Sequence, residues 1–598
     1  MAEVALTLPE AMGRALAAYG RGQLAEAERL ARTIVGIAPD YFEALHLIAV
    51  IDAQQLRLDE ALAGYDRTLA LKPDHADAHN NRGLALHQLQ RFGEALASYD
   101  GALALRPDYA QALYNRGVTL QALQRFEEAL ASYDRVLARQ PEYADALSNR
   151  GVTLHELQRF DAALASYDRA LALRPDHAEA LNNRGVTLHQ LQRFDAALAS
   201  YDRAIAARPE YAQALGNRGV TLHQLRRFDE ALASYDRALA LRPDYAEALS
   251  NRGNTLQQLQ QFAGALASYD RALAVRPDYA EAHFNKSLLQ LLQGDFDAGW
   301  RGYEWRWNNP NLKLSKRDFA QPLWLGDAAI AGKTILLHSE QGFGDTIQFC
   351  RYASLVAAHG ARVLLEVPAR LKDLMASLTG VAELITARDP LPHFDLHCPL
   401  NSLPLALGTR IDTIPAQAPY LTAPPRGMRR SSAALSSTHR LRVGLAWSGN
   451  PTPRDVADRS IALRSLLPLL DIGATFVSLQ KDVGADDAAV LQHCRELLHF
   501  ADEIDTFTKT AAVIASLDLV ISVDTSIAHL AGALAKPVWV LLPCVPDFRW
   551  LLERADSPWY PTARLFRQHV PGDWPGVIGR VVIELEKLSH AHEERASA

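Results

Sequence analysis

The 598-residue sequence predicts an all-α array of stacked helical hairpins followed by an α/β region of two parallel halves. Asn-Arg-Gly recurs every 34 residues, at Asn81, Asn115, Asn149, Asn183, Asn217 and Asn251, with prolines in step from Pro39 to Pro277. A fixed period of that length marks helical hairpins, which bury their apolar faces only against neighbouring copies. After Pro310 the period is lost and short β-branched runs alternate with helical stretches, the pattern of parallel strands joined by crossover helices. The expected domains are therefore 1–310 for the array, 311–430 for a first α/β half and 431–598 for a second. Pro424-Pro425-Arg426-Gly427 and the serine-rich stretch from Ser431 to Thr438 read as a hinge, and two hinged halves imply a cleft between them.

Composition narrows the functional classes. A hydrophobic content of 48% over this length implies two or three separate cores rather than a disordered chain. The net charge of −7, from 69 acidic and 62 basic residues without a block of one sign, argues against nucleic acid as partner. Cys350, Cys398, Cys494 and Cys544 lie far apart, without the pairing of a zinc site or the density of a disulfide framework, which suits a reducing compartment. The opening Met-Ala-Glu-Val-Ala-Leu has no basic segment, and no apolar run reaches the ~20 residues of a spanning helix. The expectation is a cytoplasmic protein with no membrane span.

One repeat, Ala76 to Tyr109, has apolar residues at helical spacing in both halves, a break at Gln90-Arg91 and a proline, Pro107, that stops the second helix. Gly83 and Ala95 are small where two helices must approach, and Phe92 and Tyr99 supply the shared bulk. These positions resemble the tetratricopeptide repeat over about residues 8 to 310. Residues 8 to 41 keep Ala27 and Pro39 but lack Asn-Arg-Gly, as a capping unit would. The last unit begins at Asn285-Lys286-Ser287 and becomes aromatic at Trp300, Tyr303, Trp305 and Trp307, a cluster expected to pack the array onto the next domain.

Nothing in hairpin packing requires an amide at the sixth position of each unit. The tetratricopeptide resemblance implies that this position lines a concave face, where Asn81, Asn115, Asn149, Asn183, Asn217, Asn251 and Asn285 form a ladder able to hold an extended peptide. Such a ladder is similar to that of O-GlcNAc transferase. The alternative is that duplication simply copied a solvated asparagine.

In the α/β region, Thr334 to His338 reads as a buried strand leading through Glu340-Gln341-Gly342-Phe343-Gly344-Asp345 into a helix. A second set of strands starts at Leu441 to Trp447 and includes Thr475 to Gln480, Leu517 to Ser522 and Val538 to Leu542. Gly344-Asp345, and Asp524-Thr525-Ser526-Ile527-Ala528-His529-Leu530-Ala531-Gly532 with Lys536-Pro537 beyond, resemble the two signatures of the lipopolysaccharide heptosyltransferase family. That resemblance, over about residues 330 to 570, implies a GT-B module of two Rossmann-like halves and an inverting sugar transfer.

The residues themselves suggest roles. Asp524, Thr525 and Ser526 stand between a strand and a helix N-terminus, where free N–H groups and hydroxyls suit a nucleotide diphosphate, although a helix cap alone would also explain them. His529 follows in the first turn and is a candidate contact to phosphate or leaving group. Asp345 is the catalytic base that the resemblance implies, with Glu340 its rival and a simple N-cap the alternative. Ser448 and Asn450 end the first strand of the second half, and Gln480, Lys481 and Arg459 are further donor-binding candidates. No Asp-x-Asp motif in the α/β half presents a metal holder, so charge on the diphosphate should be met by helix N-termini and cations, with neither metal nor cofactor expected beyond the donor itself. The stretch Trp550 to Arg567 is expected to pack between the halves or wall the cleft.

Together these features suggest a metal-independent glycosyltransferase that takes a nucleotide sugar as donor and a protein or peptide, gripped by the array, as acceptor. Repeats first and GT-B second is also the module order of O-GlcNAc transferase. Two alternatives remain: an interaction scaffold whose α/β half binds nucleotide without turnover, and a glycan-directed enzyme like the heptosyltransferases.

Overall fold

The computed structural model describes residues 7–423, 435, 439–449, 459–501 and 504–597. The expected hinge at 424–427 and 431–438 lies outside them apart from Leu435. The chain divides into two compact units, Met1–Pro243 and Asp244–Ala598.

The first unit is a run of helical hairpins, from Leu8–Gly20 with Leu24–Ile37 to Ala212–Gln224 with Phe228–Leu241. Each hairpin turns at one residue in the left-handed region, for example Gln90, Gln124 and Gln158 at φ 58°, while Gly22 takes that place in the first hairpin at φ 75°. The glycine of Asn-Arg-Gly has a steric cause. A Cβ on Gly151 would lie 2.5 Å from Cε1 of the buried Tyr167, so the ring occupies the space a side chain would need. The arginine is a bracket. Arg150 donates from Nε to Asp134 Oδ1 at 2.7 Å and from Nη1 to Ser166 Oγ at 2.6 Å, tying the second helix of the preceding hairpin to that of its own. Arg116 and Arg184 make the same pair of bonds, to Asp100 and Ser132 and to Asp168 and Ser200.

The second unit opens with two further hairpins, Ala246–Gln258 with Phe262–Val275 and Ala280–Leu292 with Phe296–Tyr303. Two parallel sheets come next. The first contains β1 (Thr334–His338), β2 (Arg362–Glu366), β3 (Glu383–Ile385) and β4 (Leu396–Pro399) in the order β3-β2-β1-β4. The second contains β5 (Arg442–Ala446), β6 (Thr475–Ser478), β7 (Leu497–His499), β8 (Leu519–Val523), β9 (Val538–Leu542) and β10 (Ala563–Arg567), ordered β10-β9-β8-β5-β6-β7. Counted from β5, that is the doubly wound order 3-2-1-4-5-6, whose direction reverses between β5 and β8. The first sheet reverses between β1 and β4. All residues of β8 and β9 are buried, which is why their sequences, apart from Ser522, are apolar runs rather than alternating ones.

The aromatic segment after the last hairpin is fixed into this α/β region. Trp300 meets Phe349 and Phe548 edge-on at 6.3 and 5.5 Å between ring centres. Arg306, fully buried, reaches Glu304 at 2.6 Å, Glu340 at 3.1 Å and Ser402 Oγ at 2.6 Å. Among the described residues no helix is long and apolar enough to cross a membrane.

Candidate functional site

A cavity of about 630 Å3 opens at the reversal point of the second sheet. Its floor is made by the residues that leave β5 and β8: Ser448 and Gly449 on one side, Asp524, Thr525 and Ser526 on the other. Its opposite wall is Gln341, Gly342, Phe343 and Gly344, the turn after β1. Parallel strands direct their carboxyl-end loops to one edge, so these short segments converge although they lie far apart in sequence. Arg370, Arg459 and Lys481 put positive charge on the cavity wall.

The floor is braced. Gln480 accepts from the backbone N–H of Trp447 at 3.2 Å and of Ser448 at 3.1 Å, and donates to the carbonyls of Ser448 and Asp482 at 3.0 Å each. Its amide therefore fixes the end of β5, which limits the direct donor contact expected of it. Thr525 caps the helix Ser526–Ala533 by accepting from the Ile527 N–H at 3.3 Å. Lys481 donates to the Asp505 carbonyl at 3.0 Å, leaving its charge without a carboxylate in that bond. Asn450 lies outside the described residues.

Behind the floor sits a buried charge cluster centred on Arg549. Its guanidinium pairs with Asp345, with Asp547 at 2.8 Å and with the Gln348 side-chain oxygen at 2.6 Å. Asp345 also accepts the Gly342 N–H at 3.0 Å, so it caps the helix Phe343–Phe349 as well. Gly342 to Gly344 line the cavity, and the Asp345 carboxylate next to them is paired with Arg549. Burial drives Asp524 upward from the usual carboxylate range, with Asp547 adding to the rise and Arg459, at 3.8 Å, opposing it. Burial acts on Asp547 in the same direction, but Arg549 and Arg459 outweigh it and hold this group low.

The expectation for His529 is corrected. It is buried, stacks on Trp550 at 5.6 Å and shares a hydrogen bond with the Tyr560 hydroxyl at 2.9 Å. Burial above all, then the Arg549 charge, depresses its pKa to about 3, so near neutral pH it carries no positive charge for a phosphate. It supports the floor from beneath, 3.8 Å from Asp524. Glu340, two residues past the end of β1, has a side chain only 5% exposed and is pushed up to about 7, chiefly by burial. Arg306 opposes that rise and binds one carboxylate oxygen, while the other has no partner.

Of the asparagine ladder Asn115 is buried and the other six are half-buried. Asn115 and Asn217 donate to Asn80 at 3.1 Å and Asn182 at 2.9 Å, and Asn149 donates to the Tyr114 hydroxyl at 3.0 Å. Asn81 and Asn183 accept from their neighbours Asn80 and Asn182 at 3.1 Å each. Asn285 donates to Asn254 at 3.0 Å, and the backbone carbonyl of Asn251 accepts from Thr255 at 2.9 Å. The amides of Asn115, Asn149, Asn217 and Asn285 thus bracket successive hairpins, a third role beside peptide gripping and idle duplication.

Sequence reasoning did not find Arg549, Asp547, Arg306 or Arg351. Arg351 is buried and donates to the carbonyls of Trp559 at 2.6 Å and Pro415 at 3.2 Å and to the Tyr420 hydroxyl at 2.8 Å. The stretch from Trp550 contributes Trp550, Trp559 and Tyr560 to the packing around this buried arginine and His529. The available signal was Pro546-Asp547-Phe548-Arg549-Trp550, a charged pair among bulky aromatics beyond β9.

Family models described as tetratricopeptide repeat match residues 46–110, 114–178, 156–209 and 188–246, and another of that description matches 219–290. Protein FlbA of Caulobacter vibrioides (strain ATCC 19089 / CIP 103742 / CB 15) is 24% identical over 340 residues, which is 51% of this chain and 55% of FlbA. The chain thus spans about half the length of the curated relative it matches. Among solved structures, YrrB, described as a tetratricopeptide protein with an unusual peptide-binding site, is 27% identical over 31% of this chain and 95% of its own, with a TM-score of 0.27. A tetratricopeptide repeat protein from Parabacteroides merdae ATCC 43184 is 19% identical, covering 42% of this chain and 98% of its own at a TM-score of 0.37. Residues 46–110 and 114–290 of this chain are tetratricopeptide repeats, and they are followed by an α/β region built on two parallel sheets.

Proposed function

We propose that the chain is an inverting glycosyltransferase of the GT-B type, which moves a sugar from a nucleotide-sugar donor to a protein or peptide acceptor offered by the repeat array, without a metal. The observation that supports this most is the cavity at the reversal point of a 3-2-1-4-5-6 sheet, with a capped helix N-terminus on its floor and Arg370, Arg459 and Lys481 on its wall. A diphosphate suits that combination, because free helical N–H groups and fixed cations both stabilise anionic oxygen.

In the proposed reaction the acceptor hydroxyl gives its proton to a carboxylate as its oxygen bonds to the anomeric carbon. The carbon–oxygen bond to the diphosphate breaks, and its electron pair leaves with the nucleotide. Asp345 is the proposed base, oriented by Arg549 and the Gly342 N–H. The test incubates the full chain with a panel of nucleotide sugars in EDTA and measures free nucleoside diphosphate. Release from one donor, lost in Asp345→Asn, is expected; unchanged release in that variant removes Asp345 from the reaction, and no release from any donor overturns the enzyme reading.

The Asp345–Arg549 pair also favours a second reading, since the carboxylate is already engaged by a guanidinium and by the Gly342 N–H. In that reading the α/β region binds a nucleotide and the chain acts as a scaffold. A saturable nucleotide complex without product would support it.

A further inference from the structure

A second cavity, of about 600 Å3, lies within the second unit, along β10 and past the carboxyl end of β9. Four arginines line it, Arg554, Arg564, Arg567 and Arg580, together with His569, against the carboxylates of Glu553 and Glu584. Two of the arginines are neutralised: Arg564 by Glu584 at 2.6 Å and Arg554 by Asp556 at 2.6 Å. Arg567 and Arg580 have no carboxylate partner among the described residues. Arg567 donates to the backbone carbonyls of Trp550 at 2.5 Å and Arg554 at 3.3 Å, and its Nη1 is buried without a partner. Arg580 donates to the Arg567 carbonyl. Burial, then the nearby Arg554 charge, pulls Arg567 down to about 10, which is the electrostatic signature of a cation lacking an anion.

The repeat that borders this cavity differs from the others in a way that suits an anion. Gln260 and Phe262 form part of the wall, at the start of the helix Phe262–Val275. That helix has no acid in its first turn and no side-chain cap. The equivalent helices earlier in the chain carry Glu94, Glu127 with Glu128, Asp161, Asp195 and Asp229 with Glu230 there. The positive end of the helix dipole is therefore uncompensated beside the arginines. The loop that carries Arg554 is also strained, with Leu551 and Glu553 both at φ 52°, a conformation that side chains other than glycine adopt only when the surroundings impose it.

We infer that this cavity is a binding site for a small phosphorylated molecule, held by Arg567 and Arg580 against the start of the helix Phe262–Val275, and separate from the cavity at the sheet reversal. Its volume is that of a small-molecule pocket. The site stands whether or not the chain transfers sugars.

Calorimetric titration of the full chain with inorganic pyrophosphate tests it. Pyrophosphate should bind, and Gln260→Glu, which adds a carboxylate to the wall, and Arg580→Gln should each weaken binding about tenfold or more. The titrations are made in the background of the double variant Arg459→Gln with Lys481→Gln, so that the diphosphate binding proposed for the other cavity does not mask this one. Melting curves without ligand separate lost binding from lost fold, and Gln260→Glu, almost isosteric, guards against a folding failure of Arg580→Gln. Absence of pyrophosphate binding in that background overturns the inference, as does binding there that survives both Gln260→Glu and Arg580→Gln.

Discussion

Arg150 in the repeat array and Arg549 in the α/β region are both arginines with two or more acceptors, yet they do different work. Arg150 bridges the second helices of adjacent hairpins, and its partner Asp134 is about half exposed, at 51%. Its near-copies Arg116 and Arg184 share the load at neighbouring junctions. Arg549 has no copy; it is 9% exposed and neutralises Asp345 and Asp547 where water does not. In a repeat protein polar groups can be used up between neighbours, because each junction is a copy of the last. In the α/β region the polar residues at strand ends gather around a cavity, and one buried cation keeps several of them in place.

The largest expected effect tests this asymmetry. Arg549→Met should lower the stability of the second unit by about 3–5 kcal/mol in urea melts, because it strips Asp345 of its cation and leaves Asp547 only the more distant Arg459, at 3.6 Å. Arg150→Met should lower that of the first unit by about 1 kcal/mol at most, as expected for a pair in contact with water. The pH dependence should differ too. Asp547 is held below its ordinary value in the folded protein, so its contribution is present above the unfolded pKa and disappears as pH falls through the folded one. The gap between wild type and Arg549→Met should therefore narrow on acidification. Equal losses in the two variants at neutral pH would erase the distinction between a bracket and a buried centre.

That contrast also explains what the sequence made legible. Helical hairpins and parallel strands are encoded locally, by a 34-residue period and by short apolar runs, so both were readable without coordinates. Ser448 and Asp524 to Ser526 were readable for a related reason: strand ends are local, and parallel topology brings them together. Arg549 was not, because its partner Asp345 lies 204 residues away and no periodicity links them. Neither was the orientation of His529, since an apolar helix gives no local sign of which face meets the cavity. The role of Arg150 was hidden differently: near-identical copies show that a residue is retained without showing what it touches.

Within the array, glycines of the same type should part company. Gly151→Ala should lower stability by about 1–3 kcal/mol, since the new methyl group meets the buried Tyr167 ring and the core must shift. Gly93 has no atom within 4 Å of its Cβ position, so Gly93→Ala should be neutral or stabilising by about 0.5–1 kcal/mol through helix propensity. Hydrogen exchange around each site would show whether the damage from Gly151→Ala stays within the adjoining hairpins, as a nearest-neighbour array requires. Equal responses to the two substitutions would mean that the tyrosine contact does not set the spacing of the helices.

The smallest effect expected is also the one that decides what the asparagines are for. Asn149 donates its amide hydrogen to the Tyr114 hydroxyl, and its backbone carbonyl accepts from Thr153 at 2.9 Å and Gln121 at 3.0 Å. Only the first of these bonds is lost on Asn149→Ala, so chemical denaturation of the first unit should show a loss of about 0.5–1.5 kcal/mol, the net worth of one hydrogen bond. A peptide-gripping role makes a further demand if the proposed transfer occurs: transfer to a peptide acceptor should weaken while release of nucleotide from the donor is unchanged. A stability loss with unaltered peptide transfer would make Asn149 a bracket alone, like Arg150. Weakened transfer at unchanged stability would instead place its amide on the ligand side, and the polar residues of the array would then divide between those that hold the hairpins together and those that meet a partner.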